Sequence, residues 1–380
     1  MSSWLTVALT KWYLLELASV GHEGMEQNPD KNITSKTPKE GVLLSVHTTM
    51  KVGGPAMYFL DAESTEDVRL GLSFAKQKNL PFFVLGGGSN TLVPDEGYFG
   101  VVIKIKNKGI EETEDFDIVT MQVAAGESWD DFVKMTTKKN YFGIENLSGI
   151  PGTVGASVIQ NIGAYGAEVR EVVKNVKVFD TEDSVEKILT NKECFFGYRE
   201  SVFKKKPGKY IVLSIEFVLS KEKKFKIAYK DLELFFAEQK KAPETSEEVR
   251  SAVLSIRAKK FPDLNIYGTA GSFFKNALVS KEKADELKKN FPDLPVYEMP
   301  GGVFKISTAF LLDKVCGLRD YKEGAVGLFK NQTLVLVNYG GASSDEIVSF
   351  KEKVKDIVLE KTGVVIEEEV VLLTNVQNKN

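Results

Sequence analysis

The chain has 380 residues, of which 43% are hydrophobic and 27% charged, and its 50 basic and 53 acidic side chains give a net charge of −3. This length exceeds one hydrophobic core, so two or three domains are expected, and the balanced charge gives no electrostatic reason to expect a nucleic-acid or membrane partner. Two cysteines, Cys194 and Cys316, are too few for a disulfide framework or zinc cluster and fit a reduced cytoplasmic setting. With only His22 and His47, the sequence argues against a Ser-His-Asp triad and against a histidine-rich metal site, so no metal is predicted.

Residues 1–40 are predicted to be a flexible extension outside the fold. The segment 4–20 is apolar, but no basic residue precedes Trp4, and Lys11 and Glu16 interrupt the run, which argues against a signal peptide. No apolar run approaches the ~20 residues that a membrane span requires. The polar residues 26–40 are typical of a tether, and Met25 is an alternative candidate for the start.

The first folded unit alternates strands with one helix. A turn and strand are predicted over 47–60, followed by a helix that begins with a Ser64-to-Asp67 capping box and ends before Pro81. A short strand, 82–85, leads directly into the loop LGGGSN at 85–90, and a strand at 101–105 closes the unit. Glycine-rich loops at strand ends are where ligands lie in α/β structures.

A second unit starts with a strand at 118–124 and a helix capped by Ser128 and Asp131, with Phe132 and Met135 facing inward. It contains the run SGIPGTVGASVIQNIGAYG at 148–166, whose five glycines and near absence of charge fit neither an amphipathic helix nor an alternating strand. Closely spaced glycines let backbone N–H groups approach a ligand, and a diphosphate commonly occupies such a concavity. A plain series of turns is the alternative for this run. Alternating strands follow at 172–179 and 210–219.

Neither glycine loop has the GxGxxG spacing of a Rossmann domain, so another cofactor-binding fold is predicted.

The third unit has a helix capped by Thr245 and Glu248 with an apolar stripe, and a helix from Ser344 to Gly363. The strand VVIEEEVVLL then follows. Alternation places Glu367 and Glu369 on one face and Glu368 on the other, either as solvated edge charges or as carboxylates buried on one face.

Five motifs in order resemble those of the UDP-N-acetylenolpyruvoylglucosamine reductase family. They are LGGGSNTLV, SGIPGTVGASVIQNIGAYG, FGYRESVFK at 196–204, GTAGSFFKN at 268–276 and the late IEEEV. The resemblance covers about residues 42–375 and points to the longer of the family's two subtypes.

The resemblance implies an α+β fold: a vanillyl-alcohol-oxidase-type FAD-binding fold of two α+β subdomains plus a C-terminal α+β substrate-binding domain. The predicted domains are subdomain 1 at 41–108 together with a C-terminal strand at 364–376, subdomain 2 at 109–244, and the substrate-binding domain at 245–363. The family's reaction would make this a cytoplasmic, monomeric enzyme of peptidoglycan precursor synthesis. NADPH would reduce non-covalently bound FAD, and the enolpyruvyl ether of a UDP-sugar would then enter the same site and be reduced to the lactyl ether.

The residue roles follow from matching the motifs. Hydride addition to the vinyl carbon leaves enolate-like charge, which a planar guanidinium suits, and Arg199 matches the family's arginine. A proton must reach the neighbouring carbon, and Ser272 matches the family's donor. Glu369 matches the acidic residue that works beside the arginine.

The predicted ligand contacts fall into two groups. The residues expected to contact FAD are Gly86, Gly87, Gly88, Ser89, Asn90, Ile150, Pro151, Gly152, Thr153, Gly163, Ala164 and Tyr165. The residues expected to contact substrate are Tyr198, Tyr229, Lys260, Asn276 and Gln332.

The chain departs from the family pattern at three places. It has Ala309-Phe310 where Gly-Trp is usual, Phe329 where histidine is usual, and Glu368 where proline is common. We expect the two phenylalanines to repack the substrate side of the third domain. Two alternatives stay open at this point: an FAD oxidase of the same fold acting with oxygen, and a sugar-nucleotide- or flavin-binding homologue without catalysis.

Overall fold

The computed structural model describes residues 36–375. The predicted signal-like segment 4–20 and Met25 lie outside the described residues, as does most of the predicted extension. The first strand already begins at Lys39, within the range assigned to that extension. Within the described range, no helix is both long and apolar enough to cross a membrane.

The first sheet has three parallel strands and one antiparallel edge. Its strands, in the spatial order β1-β2-β5-β3, are β1 (Lys39–Leu43), β2 (Pro55–Ala62), β5 (Tyr98–Ile105) and β3 (Phe82–Leu85). Helix α1 (Thr65–Lys78) connects β2 to β3. The Ser64 side chain accepts a hydrogen bond from the Asp67 N–H, which confirms the N-cap part of the predicted capping box, and the Asp67 carboxylate accepts from the Glu63 N–H. The helix ends at Asn79 in the left-handed conformation.

The second sheet is antiparallel throughout. Its strands, in the order β11-β10-β12-β7-β6, are β11 (Val185–Thr190), β10 (Val173–Asp180), β12 (Tyr210–Ser220), β7 (Ile118–Ala124) and β6 (Ile110–Asp115). Helix α2 (Trp129–Lys138) packs against this sheet through Trp129 and Phe132, whose ring centroids lie 6.1 and 5.1 Å from that of Phe217. Side chains from both sheets, such as Ile103 and Val123, belong to one continuous hydrophobic core.

The glycine run folds into a short helix and a small hairpin. The elements are α3 (Val154–Ile159), β8 (Gly163–Ala164) and β9 (Ala167–Glu168), and the four-residue helix α4 (Val202–Lys205) follows later in the chain. The run is therefore not a plain series of turns. A Cβ on Gly155 would lie 2.6 Å from the Ala125 Cβ, so this glycine lets α3 pack directly on the end of β7.

Two helices lead from the second sheet toward the C-terminal part: α5 (Lys230–Gln239) and α6 (Ser246–Lys260). The predicted capping box of Thr245 and Glu248 is present at the start of α6, and its apolar stripe is buried. Arg250 on α6 forms hydrogen bonds of 2.6 and 2.8 Å with both oxygens of Asp130 on α2. Helix α6 therefore packs on the second sheet's helix, although the predicted third domain starts at 245.

The C-terminal part has two small sheets and a long helix. Its elements are β13 (Ala277–Val279), α7 (Lys281–Asn290), β14 (Val296–Met299), β15 (Val303–Ile306), α8 (Thr308–Phe310), β16 (Lys322–Glu323), β17 (Val326–Phe329), β18 (Gln332–Asn338) and α9 (Ser344–Thr362). The strand orders are β13-β15-β14 and β16-β17-β18. Helix α9 ends at Gly363, whose φ of +64° confirms the predicted left-handed stop.

The prediction of a continuous strand at 364–376 was wrong. Regular pairing is confined to β19 (Val371–Leu372), which lies parallel to β4 (Thr91–Leu92) of the first subdomain. The preceding glutamates run beside a different neighbour, since the Lys275 N–H donates to the Glu367 carbonyl and the Glu369 N–H to the Phe273 carbonyl. The segment therefore passes from the neighbours Phe273 and Lys275 to β4, and neither contact is long enough to form an extended strand ladder.

Candidate active site

The two glycine loops lie in direct contact. The Ser89 hydroxyl donates a 2.8 Å hydrogen bond to the Pro151 carbonyl. A Cβ on Gly87 would lie 2.7 Å from the Gly152 Cα, closer than real Cβ atoms come, so the approach requires glycine. The structure thus brings the predicted residues 86–90 and 150–153 together.

The first glycine loop also packs closely against the segment 47–49. Gly88 has a φ of +65°, and a Cβ there would lie 2.0 Å from the His47 carbonyl oxygen. The Thr49 N–H donates a 3.0 Å hydrogen bond to the Gly88 carbonyl. The carbonyl of Gly88 is thereby turned toward residue 49, away from the other loop.

Both loops carry backbone donors that nothing in the described chain uses. Among residues 36–375, no hydrogen bond is donated by the N–H groups of Gly87, Gly88, Ser89 and Asn90, or by those of Ile150, Gly152 and Thr153. Backbone N–H groups left unpaired in series form a concavity for an anion such as a diphosphate. This arrangement fits the predicted role of the two loops in holding FAD.

Asn90 connects the first loop to the rest of the site. Its side-chain amide donates to Gln160 Oε1 at 2.7 Å and to the Glu369 carbonyl at 3.0 Å. Its own carbonyl accepts from the Val371 N–H at 3.0 Å. Gln160 was not found from the sequence, because its partner is distant in the chain.

Arg199 is held in place by several contacts. It has a φ of +56°, unusual for a residue with a side chain, and one terminal nitrogen donates a 2.7 Å hydrogen bond to the Gly163 carbonyl. Its Nε lies 2.8 Å from Glu369 Oε1. Burial acts to lower the pKa of the guanidinium, but Glu369 and Tyr198 outweigh burial and the pKa is raised. The residue stays a cation.

One donor of Arg199 is unused. Although Nε is close to Glu369, its N–H does not point at that carboxylate, and it has no hydrogen-bond acceptor among the described residues. A buried donor without an acceptor is costly, so this orphan marks a place where a ligand atom fits. Arg199 and Glu369, predicted as partners, are thus in contact.

Ser272 lies on a segment pinned from two sides. It pairs with Val335 of β18, and the next residue, Phe273, donates its N–H to the Leu334 carbonyl at 2.7 Å and accepts from the Glu369 N–H at 2.8 Å. Ser272 is partly exposed, and its hydroxyl makes no hydrogen bond to any described residue. It is therefore available to a ligand, one residue from the backbone contact with Glu369.

The three consecutive glutamates have separate environments. Glu369 is 11% exposed and faces Arg199, whereas Glu367 is 72% exposed and lies 3.1 Å from the Lys275 Nζ. Glu368 points to the other face and contacts Lys351 and Lys355 of α9. Glu368 and Glu369 have separate partners, as the alternation predicts, but Glu367 does not share the shielded environment of Glu369.

Tyr198 and Asn276, both predicted substrate contacts, touch each other. The Tyr198 hydroxyl accepts a 3.2 Å hydrogen bond from the Asn276 N–H, and burial raises the pKa of this tyrosine. The Lys305 Nζ lies 5.0 Å from the centroid of the same ring. Lys305 was not predicted, since neither periodicity nor a motif marks it.

A lysine pair flanks the site beside Arg199. The Lys204 Nζ donates to the Arg199 carbonyl at 3.2 Å, and Lys275 lies 3.6 Å from Glu200 Oε1. Burial and the neighbouring Lys275 lower the pKa of Lys204. The two lysines are therefore further cations beside Arg199, and both lie within ion-pair distance of Glu200.

Two further predicted substrate residues share one cleft. A cleft of about 470 Å³ is lined by both Lys260 and Gln332. Lys260 is paired with Asp231 at 2.6 Å. The departures Ala309 and Phe310 also line this cleft, and Phe329 pairs in register with Gln332. Tyr229 instead packs on Tyr165, with ring centroids 5.5 Å apart.

The fold and this site define an FAD-binding protein. A family model described as an FAD binding domain matches residues 56–188, and one described as the C-terminal domain of UDP-N-acetylenolpyruvoylglucosamine reductase matches residues 263–373. The unpaired loop donors, the orphaned Arg199 Nε and the free Ser272 hydroxyl fit the predicted cofactor and its reaction partner. The predicted class, an α+β FAD-binding fold followed by a C-terminal α+β domain, is confirmed.

The chain belongs to the UDP-N-acetylenolpyruvoylglucosamine reductase family. It is 39% identical over 330 residues to the reductase of Bdellovibrio bacteriovorus, covering 86% of this chain and 96% of that protein. It is 35% identical over 332 residues to the Pseudomonas aeruginosa reductase, covering 87% and 97%. The crystal structure of the Thermus caldophilus reductase superimposes with a TM-score of 0.62 at 25% identity, covering 89% of this chain and all of that one.

We expect Gly87→Ala to weaken FAD binding, because the added Cβ would meet the Gly152 backbone at 2.7 Å and force the loops apart. The measurement is the ratio of flavin to protein absorbance after purification and dialysis. Gly71→Ala is the control, since its Cβ would lie 2.9 Å from the Ile103 side chain and would contact neither glycine loop. Equal flavin content in Gly87→Ala and wild type would contradict the two-loop cradle.

Glu368 gives a pH prediction. Burial raises its pKa, but Lys351 and Lys355 outweigh burial and lower it from 4.5 to about 2. A carboxylate whose pKa is lowered in the folded state stabilises the fold at every pH above its unfolded-state pKa. This stabilisation is lost as the pH falls toward the folded-state pKa. The difference in free energy of unfolding between wild type and Glu368→Gln should therefore be full near pH 6 and shrink between about pH 4.5 and about pH 2. Denaturant titrations check it, with Glu360→Gln on the exposed side of α9 as the control; a difference independent of pH would contradict it.

Proposed function

We propose that the protein reduces the enolpyruvyl ether of UDP-N-acetylglucosamine enolpyruvate to the lactyl ether of UDP-N-acetylmuramate, in peptidoglycan precursor synthesis. The electrons come from NADPH through non-covalently bound FAD. Family membership supports the reaction and the longer-subtype assignment stays a prediction. The single observation that carries the proposal is the contact of Arg199 with Glu369 beside the pinned Ser272 segment, at the edge of the glycine loops.

The domain roles follow the same proposal. Residues 41–108 and 109–244 hold FAD, and residues 245–363 form the substrate side. The cofactor-binding residues are those of the loops 86–90 and 150–153, with 163–165 beside Arg199. When bound, FAD supplies the two-electron chemistry, taking hydride from NADPH and delivering it to the vinyl carbon of the substrate.

Arg199 stabilises the charge that hydride addition creates. The substrate's carboxylate and the carbon next to it share the developing negative charge, and a fixed guanidinium can donate to such an oxygen. The hydrogen bond to Gly163 and the contact with Glu369 hold the guanidinium in one orientation and leave Nε–H unsatisfied. Because the orientation exists before the substrate binds, little reorganisation is needed during the reaction.

Ser272 donates the proton. The carbon that receives it is part of an enolate-like group and is basic enough to accept from a hydroxyl. The Ser272 hydroxyl has no partner among the described residues, while its backbone neighbours are fixed by β18 and by Glu369. The proton donor is thus free to rotate on a rigid support.

The substrate's other groups have separate contacts. Tyr198 and Asn276 lie near Arg199, while Lys260 and Gln332 line the cleft and Tyr229 stands beside Tyr165. Lys260 supplies a positive charge for the diphosphate, and releasing it from Asp231 exposes that charge. The same cation suits the phosphates of NADPH.

The proposal predicts a yellow protein whose oxidation of NADPH depends on an electron acceptor. Visible spectra of the purified full chain, taken before and after adding NADPH and then the enolpyruvyl sugar nucleotide, test this. NADPH should bleach the flavin, and the sugar nucleotide should restore its absorbance with formation of the lactyl ether, detected by mass spectrometry. A protein that cannot be reconstituted with FAD, or whose reduced flavin is reoxidised by oxygen but not by the sugar nucleotide, would contradict the proposal.

Ser272→Ala separates proton donation from the first half-reaction. Bleaching of the flavin by NADPH should proceed as in wild type, whereas overall turnover should fall by several powers of ten, because only the second half-reaction needs the proton. Stopped-flow absorbance measures both. Ser255→Ala, at an exposed position on α6, is the matched control. Unchanged turnover in Ser272→Ala would remove this serine as the donor.

A further inference from the structure

Glu368 lies on the opposite face of its segment from Glu369 and is held by α9. Its Oε1 accepts hydrogen bonds from the Lys351 Nζ at 2.7 Å and from the Lys355 Nζ at 2.9 Å. The two lysines are four residues apart and therefore project from the same side of the helix. The three side chains form a clamp, the Glu368 clamp, between α9 and the segment 367–369.

The clamp is largely buried. The Lys351 side chain is 4% exposed and that of Glu368 is 19% exposed. Taking charges from water is costly, and removing one member of such a group leaves the other charge uncompensated. Lys351 also contacts Glu352 on its own helix, so Glu368 is the carboxylate that ties the lysine to another part of the chain.

The segment that the clamp holds is also anchored by Ile366 and Val370, which lie on either side of the three glutamates and are buried in the C-terminal core. It makes the two backbone hydrogen bonds with Phe273 and Lys275, and the Asn90 amide donates to the Glu369 carbonyl. Glu367 faces solvent. Regular strand pairing begins only at Val371. Between these two buried residues, the clamp adds a side-chain restraint at Glu368, next to Glu369.

Rotation of the segment matters because Glu369 meets a fixed partner. Arg199 is tied to the Gly163 carbonyl in the FAD-binding half, and its Nε lies 2.8 Å from Glu369 Oε1. A shift of about 1 Å in a reacting group, caused by a change far from the chemistry, can cost roughly a hundredfold in rate. Glu368 and Glu369 are adjacent and contact different partners, α9 and Arg199, so a displacement of the Glu368 backbone would be passed directly to Glu369.

We propose that Glu368 is a positioning residue for Glu369: clamped by Lys351 and Lys355, it fixes the direction from which Glu369 meets Arg199. This inference rests on the proposed function for its kinetic consequence, though not for its structural one. Helix α9 thereby supports the active site through the Glu368 carboxylate.

The first test compares Glu368→Gln with Glu352→Gln in the FAD-loaded full chain. Glu352 also contacts Lys351 and Lys355 but touches no residue of 367–369, so it matches the loss of charge without loosening the segment. Glu368→Gln should slow reoxidation of the reduced flavin by the enolpyruvyl sugar nucleotide by roughly ten- to a hundredfold. Reduction by NADPH and the KM for NADPH should stay within about twofold. Equal effects of the two variants, or equal slowing of both half-reactions, would overturn the inference.

A double-mutant cycle adds a second readout. If Glu368 acts through Glu369, then Glu368→Gln should have little further effect on reoxidation once Glu369→Gln is present. If the two substitutions instead slowed reoxidation by independent factors that multiply in the double variant, Glu368 would contribute independently of Glu369, and the inference would be overturned. Should Glu368→Gln fail to retain FAD, Lys355→Gln replaces it in both experiments, since this substitution removes one of the two cations; a smaller loss confined to the same half-reaction is expected.

Crystal structures of the wild-type, Glu368→Gln and Glu352→Gln holoenzymes decide the structural claim without any assay. The Arg199–Glu369 contact should be kept in wild type and in Glu352→Gln, and be broken or split between conformers in Glu368→Gln. An unchanged contact in Glu368→Gln would overturn the inference. A wild-type enzyme that forms no lactyl ether would instead contradict the proposed function, and the crystallographic comparison would still decide the positioning role.

Discussion

The contact between Arg199 and Glu369 is the interaction on which the site depends, because it joins parts of the chain 170 positions apart in sequence. Arg199 is anchored to Gly163, which lies within the residues that the FAD-binding family model matches. Glu369 belongs to the segment that returns from α9 to the first subdomain. The pair therefore forms only when the C-terminal segment has docked between Phe273 and Asn90. A complete site requires the complete fold.

The glycine loops explain why a large cofactor can bind close to that pair. Their backbones touch each other only because Gly87 and Gly152 lack side chains, and the contact leaves the N–H groups of both loops pointing away from protein acceptors. Unpaired backbone donors are costly in a folded protein unless a ligand or water takes them. The loops thus present a surface of backbone donors that a ligand or water can take.

Much of this could be predicted from the sequence where the signal is local. Helix caps at Ser64 and Thr245 and the stop at Gly363 depend on residues within one turn of the helix end, and all three were predicted. The strand at 364–376 was not, because β-branched residues favour an extended backbone without saying which neighbour pairs with it. Gln160 and Lys305 were missed for the same reason, since their partners lie far away in sequence.

The three consecutive glutamates also show that a local sequence pattern cannot identify a side chain's distant partners. Alternation correctly separates Glu368 from Glu369, but it gives no means of telling a solvated carboxylate from one held by buried lysines. That distinction comes from α9, whose Lys351 is nearly inaccessible and contacts Glu368 as well as Glu352 of its own helix. A proline at position 368 could not supply that charge, so a chain with Glu368 can support its active site from α9 through a side chain. In this chain the departure from the family pattern thus places a carboxylate against two lysines of the helix that faces it.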